Sequence, residues 1–171
     1  MKSTVFLEAL QKRRDIESGD IWADEILPGK LWLGSGTNAS NIMKLREHRI
    51  THILNCSDDV PNFFEEDKDV HIEYLKLGIG DFGSDPGIGR TFATATEFVS
   101  SALAECEAES STTGRVLVHC ANGSNRSPTV AIAVIMSILN ITLVEAWSMV
   151  TSRHKQTAPL RDNRAQLLAF E

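Results

Sequence analysis

Apolar positions along this chain change period repeatedly. Short apolar or β-branched runs at 31–33, 50–55, 74–79 and 116–118, each bounded by glycine or polar residues, read as strands. Between them the apolar residues recur at helical spacing. Phe92, Ala95, Val99, Ala102, Leu103 and Cys106 mark one helix face, and Leu143, Ala146, Trp147 and Val150 mark another. Helices are also predicted over 5–14, 38–47, 130–139 and 161–170, and the polar stretch 105–113 reads as a linker. Strands that alternate with helices predict an α/β domain: a mostly parallel central sheet flanked by helices on both faces. Such a sheet binds ligands at the carboxyl ends of its strands. A chain of 171 residues has room for one well-buried core and not for two. A single domain over 25–171 is therefore expected, preceded by a helix or extension over 1–24.

The run VLVHCANGSNRSP at 116–128 carries the chemistry. Its first residues are a buried strand and its last open a helix, with the Ser127 hydroxyl as cap and Pro128 in the first turn. The turn between them, Ala121, Asn122, Gly123, Ser124 and Asn125, then aims its backbone N–H groups at one spot. Such a nest at a helix N-terminus binds tetrahedral anions, because unpaired amides and the helix dipole both favour negative charge. Cys120 sits at the mouth of that field, which favours its thiolate form. Arg126 can meet two phosphate oxygens with one planar fork, which a lysine cannot do. Gly123 lets the backbone turn tightly around the anion, and the Ser127 hydroxyl can stabilise sulfur as a leaving group. A lone cysteine at a strand end is usually a buried structural thiol. Here a nucleophile, a glycine, an arginine and a hydroxyl share one strand-turn-helix, and the reactive reading outweighs the structural one.

The segment from His119 to Ser127 matches the HCxxxxxRS signature of the cysteine-dependent phosphatases, and its surroundings resemble the dual-specificity protein phosphatases. The likeness extends over most of the chain, through ILPGKLWLGS at 26–35, ITHILN at 50–55 and QLLAFE at 166–171. It implies that Cys120 attacks phosphorus, that Arg126 holds the phosphate, and that an aspartate on a separate loop protonates the leaving oxygen. The loop at 80–87, which follows the strand at 74–79, offers Asp81 and Asp85. The resemblance places the acid directly after the strand and so selects Asp81; Asp85 precedes a proline and can simply shape the turn. A glycine-rich loop also suits a lid that delivers the proton and excludes water, and the pH profile is then bell-shaped. His119 is not taken as a base. Neighbouring strand residues point to opposite faces, so His119 supports the loop and tunes the thiol from behind. Asn55, closing its strand at the ligand-binding edge, is expected to hold a loop by hydrogen bonds.

Composition narrows the setting. No apolar run is long enough to cross a bilayer, and the N-terminus lacks the apolar core of a signal peptide. Three cysteines make a poor disulfide scaffold and agree with a reducing compartment, cytoplasmic or nuclear. Cys56 reads as a core thiol in preference to a resolving partner for oxidised Cys120. A net charge of −6 argues against a nucleic-acid or anionic-membrane surface. The run Glu65, Glu66, Asp67 and the cluster Lys12, Arg13, Arg14 read as solvated faces, the basic one with a minor potential for docking an acidic segment. Trp32 and Trp147 fit the core. The five histidines show no metal-ligand spacing, so neither metal nor other cofactor is expected.

Three function classes follow. The first is a dual-specificity phosphatase acting on phosphotyrosine and on phosphoserine or phosphothreonine of a protein partner, a kinase among the candidates. The second is a phosphatase of non-protein substrates. Asn125 stands where most dual-specificity enzymes have serine, and the Gly-x-Asn-Arg pattern resembles RNA 5′-triphosphatases, but Ser127-Pro128 departs from them and the acidic balance suits RNA poorly. Lipid or glucan phosphatases rank lower because the loop has no lysine for extra phosphates. The third is a non-catalytic phosphate reader, if Asn125 distorts the loop.

Overall fold

Alternation of apolar side chains above and below one sheet organises the structure. The computed structural model describes residues 22–81, 86–104 and 114–171. Among these residues five strands form a single sheet: β1 (Asp24–Leu27), β2 (Leu31–Ser35), β3 (His52–Ser57), β4 (Glu73–Ile79) and β5 (Val116–Cys120), in the spatial order β1-β2-β5-β3-β4. β1 is an antiparallel edge strand, and the other three pairings are parallel. β5 lies at the centre, with Val118 in register with Leu33 on one side and Leu54 on the other. Such a strand is covered on both faces, which is why it reads as a continuous apolar run with no polar alternation.

The helices are α1 (Gly36–Ala39), α2 (Ile42–Glu47), α3 (Phe92–Ala104), α4 (Arg126–Leu139), α5 (Leu143–Arg153) and α6 (Arg161–Phe170), with a 3-10 turn at Ile88–Thr91 before α3. On one face of the sheet Leu31, Leu33, Leu54, Cys56, Val116, Val118 and Cys120 pack against α3, α4, α5 and α6 in the larger apolar cluster. On the other, Trp32, Ile53 and Leu117 meet Trp22, Ala39, Leu45 and Ile50. α4 is the central helix. Every residue from Arg126 to Met136 is buried, so it is apolar on all sides beyond its first turn. It ends at Asn140, whose left-handed backbone (φ 51°) stops the helical run. No helix among the described residues is long and apolar enough to cross a membrane.

The mostly parallel α/β sheet agrees with the sequence pattern, and α6 matches the expected range residue for residue. Several boundaries differ for local reasons. The helix expected over 38–47 is two helices, because Ser35 and Asn38 form a capping box around α1 and the Asn41 side chain then caps α2 at the Lys44 amide. Short polar side chains that bond nearby amides compete with helix propagation. The strand expected from 50 begins at His52, since the Ile50 amide still donates to Leu45 and closes the preceding turn. β1, a four-residue edge strand that straddles the expected boundary between 24 and 25, has no periodic signal of its own. Ser127 is not the cap of α4. It lies inside the first turn, and Asn125 occupies the cap position. The helix expected at 5–14, the basic cluster at 12–14, the linker 105–113 and Cys106 all lie outside the described residues.

Candidate active site

The carboxyl end of β5 delivers Cys120 into the turn 121–125, and α4 starts immediately afterwards at Arg126. Two donors converge on the sulfur: the Gly123 N–H and the Ser127 hydroxyl, each 3.2 Å from Sγ. The turn is pinned by its carbonyls. Ala121 O accepts from the Gly36 amide (3.0 Å), Ser124 O from the Ala158 amide (2.7 Å), and Gly123 O lies 2.6 Å from His154 Nε2. A carbonyl can only accept, so Nε2 carries a proton; Nδ1 of the same ring lies 2.6 Å from Asp24 Oδ2. His154 is buried and bridges β1 to the turn 121–125. Gly123 has φ +75°, and a Cβ there would sit 2.8 Å from Gly34 O, so both backbone and space require glycine.

Arg126 is 2% exposed. Its Nη1 donates to Asp59 Oδ1 (2.9 Å), Ile79 O (3.0 Å) and Asp58 Oδ1 (3.2 Å), while Nη2 lies 3.5 Å from Asp81 Oδ2. Burial works against its charge, but the Asp59 bond and the fields of Asp81, Cys120 and Asp59 together raise its pKa above the ordinary arginine value. The guanidinium in turn holds Asp59 below the usual carboxylate range. Nε is a buried donor with no hydrogen-bond partner among the described residues.

Asp81 therefore lies beside Arg126, and Asp81 Oδ1 accepts from Asn125 Nδ2 at 3.0 Å. Residues 82–85, Asp85 among them, lie outside the described residues, and with them half of the expected lid at 80–87. Cys120, Gly123, Asn125, Arg126, Ser127 and Asp81 are brought together; the Asn122 side chain is exposed at the rim. His119 is fully buried, and its strand partners place it on the opposite sheet face from Cys120, beside Asn55. Nδ1 lies 3.3 Å from Cys120 O, and burial lowers the ring pKa to about 4. It is a neutral support for the Cys120 backbone. Cys56 is a fully buried member of the larger apolar cluster, and burial, aided by Cys120, pushes its thiol up.

Asn55 fulfils its expected role. Its Nδ2 donates to Val60 O (2.8 Å) and Asn62 Oδ1 (3.0 Å), and its Oδ1 accepts from the Ser57 amide and hydroxyl (both 3.1 Å), which fixes the loop that carries Asp58 and Asp59. That acidic pair, His154 and Asp24 were not among the residues singled out from the sequence. A signal existed for the pair, since two carboxylates directly follow a strand at the ligand-binding edge. None existed for His154 and Asp24, which are 130 residues apart.

The sequence model of the family described as "Dual specificity phosphatase, catalytic domain" matches residues 31–171. Human dual specificity protein phosphatase 9 is 37% identical over 148 residues, 86% of this chain but 35% of that protein, so the chain spans about a third of its length. Human dual specificity protein phosphatase 14 is 34% identical over 162 residues, 95% of this chain and 76% of that protein. Among solved structures, a human tyrosine phosphatase-like serine/threonine/tyrosine-interacting protein superimposes with a TM-score of 0.72 at 30% identity, covering 86% of this chain and 94% of that one. Human DUSP28 shares the fold, with a TM-score of 0.76 at 22% identity over 88% of this chain and 93% of that one.

Proposed function

The chain belongs to the dual-specificity phosphatase catalytic-domain family, and on that premise we propose that it hydrolyses phosphotyrosine and phosphoserine or phosphothreonine in a protein partner through a phosphocysteine intermediate. One observation carries the reading: Cys120 Sγ receives two donors in a turn that opens beside a buried guanidinium, with a carboxylate on the far side. Arg126 Nη1 is anchored to protein, and its unpartnered Nε edge is the donor left for phosphate. In the first step the S–P bond forms as the ester O–P bond breaks, and Asp81 gives its proton to the leaving oxygen. In the second, water attacks phosphorus, Asp81 takes the water proton, and the sulfur leaves as a thiolate stabilised by the Ser127 hydroxyl.

The half-exposed Asp58 and Asp59 at the mouth weigh against triphosphate-ended RNA and phosphoinositides, whose additional phosphates would face like charge. A phosphorylated kinase segment is a fitting substrate class, and a reducing cytoplasmic or nuclear setting suits the free thiols of Cys56 and Cys120. Rapid acid quench with a doubly phosphorylated peptide tests the reading. Wild type is expected to yield a trapped phosphoenzyme that Cys120→Ser abolishes together with turnover. Phosphopeptide binding by wild type with no hydrolysis would replace the enzyme with a phosphate reader.

A further inference from the structure

Asn125 holds the cap position of α4, a place where asparagine ordinarily bonds the first helical amides, yet it makes no such bond and its carboxamide turns outward. Its Oδ1 accepts from the Leu160 amide at 2.8 Å and from Asn163 Nδ2 at 2.9 Å. A backbone amide can only donate, so the Leu160 contact fixes which end of the carboxamide is the oxygen. Nδ2 must then face Asp81, and it donates to Oδ1 at 3.0 Å. Oδ1 is thereby held by a neutral donor that is itself anchored to α6. The other oxygen, Oδ2, is the one that faces Arg126, 3.5 Å from Nη2.

We propose that Asn125 is the positioning residue for the general acid: by holding Oδ1 it fixes the orientation of the Asp81 carboxyl and ties it to the start of α6. This rests on the reading of Asp81 as the acid. The Asn125 side chain faces Asp81, Leu160 and Asn163 and acts through Asp81. Its loss therefore penalises substrates whose leaving oxygen needs a proton and bears lightly on those whose leaving oxygen does not.

Wild type, Asn125→Ala, Asp81→Asn and the double variant, assayed on phenyl phosphate and on p-nitrophenyl phosphate, test this. For Asn125→Ala the fall in kcat is expected to be on the order of 10-fold or more on phenyl phosphate and several times smaller on p-nitrophenyl phosphate. In the Asp81→Asn background the same substitution is expected to add little, because a positioning residue has nothing left to position. Equal losses on both substrates, or a loss that adds in full to that of Asp81→Asn, would overturn the role while leaving the acid assignment intact. If Asp81→Asn itself shows no leaving-group dependence, both the acid assignment and this inference fail. Should Asn125→Ala not fold, Asn125→Ser, which keeps a short polar residue suited to a helix cap but cannot span to both Leu160 and Asp81, gives the same selective loss if the inference holds and equal losses if it does not.

Discussion

The two sides of the cleft are built differently. On the nucleophile side, as proposed, Cys120 ends the central strand, Gly123 and Ser127 lie in the turn and the first helical turn after it, and His154, just past the end of α5, meets the Gly123 carbonyl; all four are buried. On the acid side, as proposed, Asp58, Asp59 and Asp81 follow the ends of β3 and β4 as partly exposed residues, and their carboxylates face Arg126, with Asn125 also donating to Asp81. The proposed anion cradle thus lies in the buried core, and the proposed proton donor lies at its more exposed edge. Arg126 belongs to both sides, which makes it the first place to break the comparison.

Arg126→Lys keeps the charge and removes the fork. One ammonium cannot satisfy Asp58, Asp59, the Ile79 carbonyl and a bound phosphate from the positions that the guanidinium occupies. A fall in kcat of about 10³ is expected, comparable to the loss of a preorganised donor in other acyl- and phosphoryl-transfer sites. Steady-state kinetics on p-nitrophenyl phosphate, with circular dichroism to confirm folding, would read it. A fall of less than about tenfold would mean that charge alone suffices and that the planar geometry is dispensable.

How much of this was legible in the sequence follows the same division. The nucleophile side is a contiguous run, and its residue types within nine positions state its chemistry outright; the buried strand and helix around it announce themselves by periodicity. The acid side is assembled from separate loops. Asp81 was reached only through a family resemblance, and Asp58 and Asp59 had a positional cue that local pattern alone did not make decisive. Asn125 was visible as a member of the turn, but the bonds that turn its side chain towards Asp81 and Leu160 depend on tertiary placement. His154 and Asp24, like the break between α1 and α2, are set by contacts or caps that no period records.

The next effect tests the buried side through stability. His119 has an ordinary pKa of 6.5 when unfolded and about 4 when folded, because burial penalises the imidazolium. The folded state thus binds fewer protons than the unfolded one between these limits. Its stability is fully present above pH 6.5 and is lost as the pH falls towards 4. The span corresponds to on the order of 3 kcal/mol. Urea unfolding from pH 7 to pH 4 should show this decline in wild type and a flatter one in His119→Gln, whose side chain does not titrate. Parallel profiles would mean that the ring stays neutral in both states or is not buried in solution.

The smallest effect sharpens the exposed side. Asp59 donates nothing and accepts one strong bond from Arg126, but its side chain is 60% exposed, so water and salt screen much of the pair's attraction. Its negative charge at the mouth also opposes an incoming phosphate dianion. Asp59→Asn keeps an oxygen for Nη1 and removes that opposition. KM for p-nitrophenyl phosphate should therefore drop by about twofold at low ionic strength, with kcat little altered, and the difference should shrink as added salt shortens the screening length below about 5 Å. A rise in KM instead would show that the Asp59 charge matters more for holding the guanidinium in place than for repelling substrate. In that case the acid side would be as preorganised as the nucleophile side, and the contrast between them would be one of exposure alone.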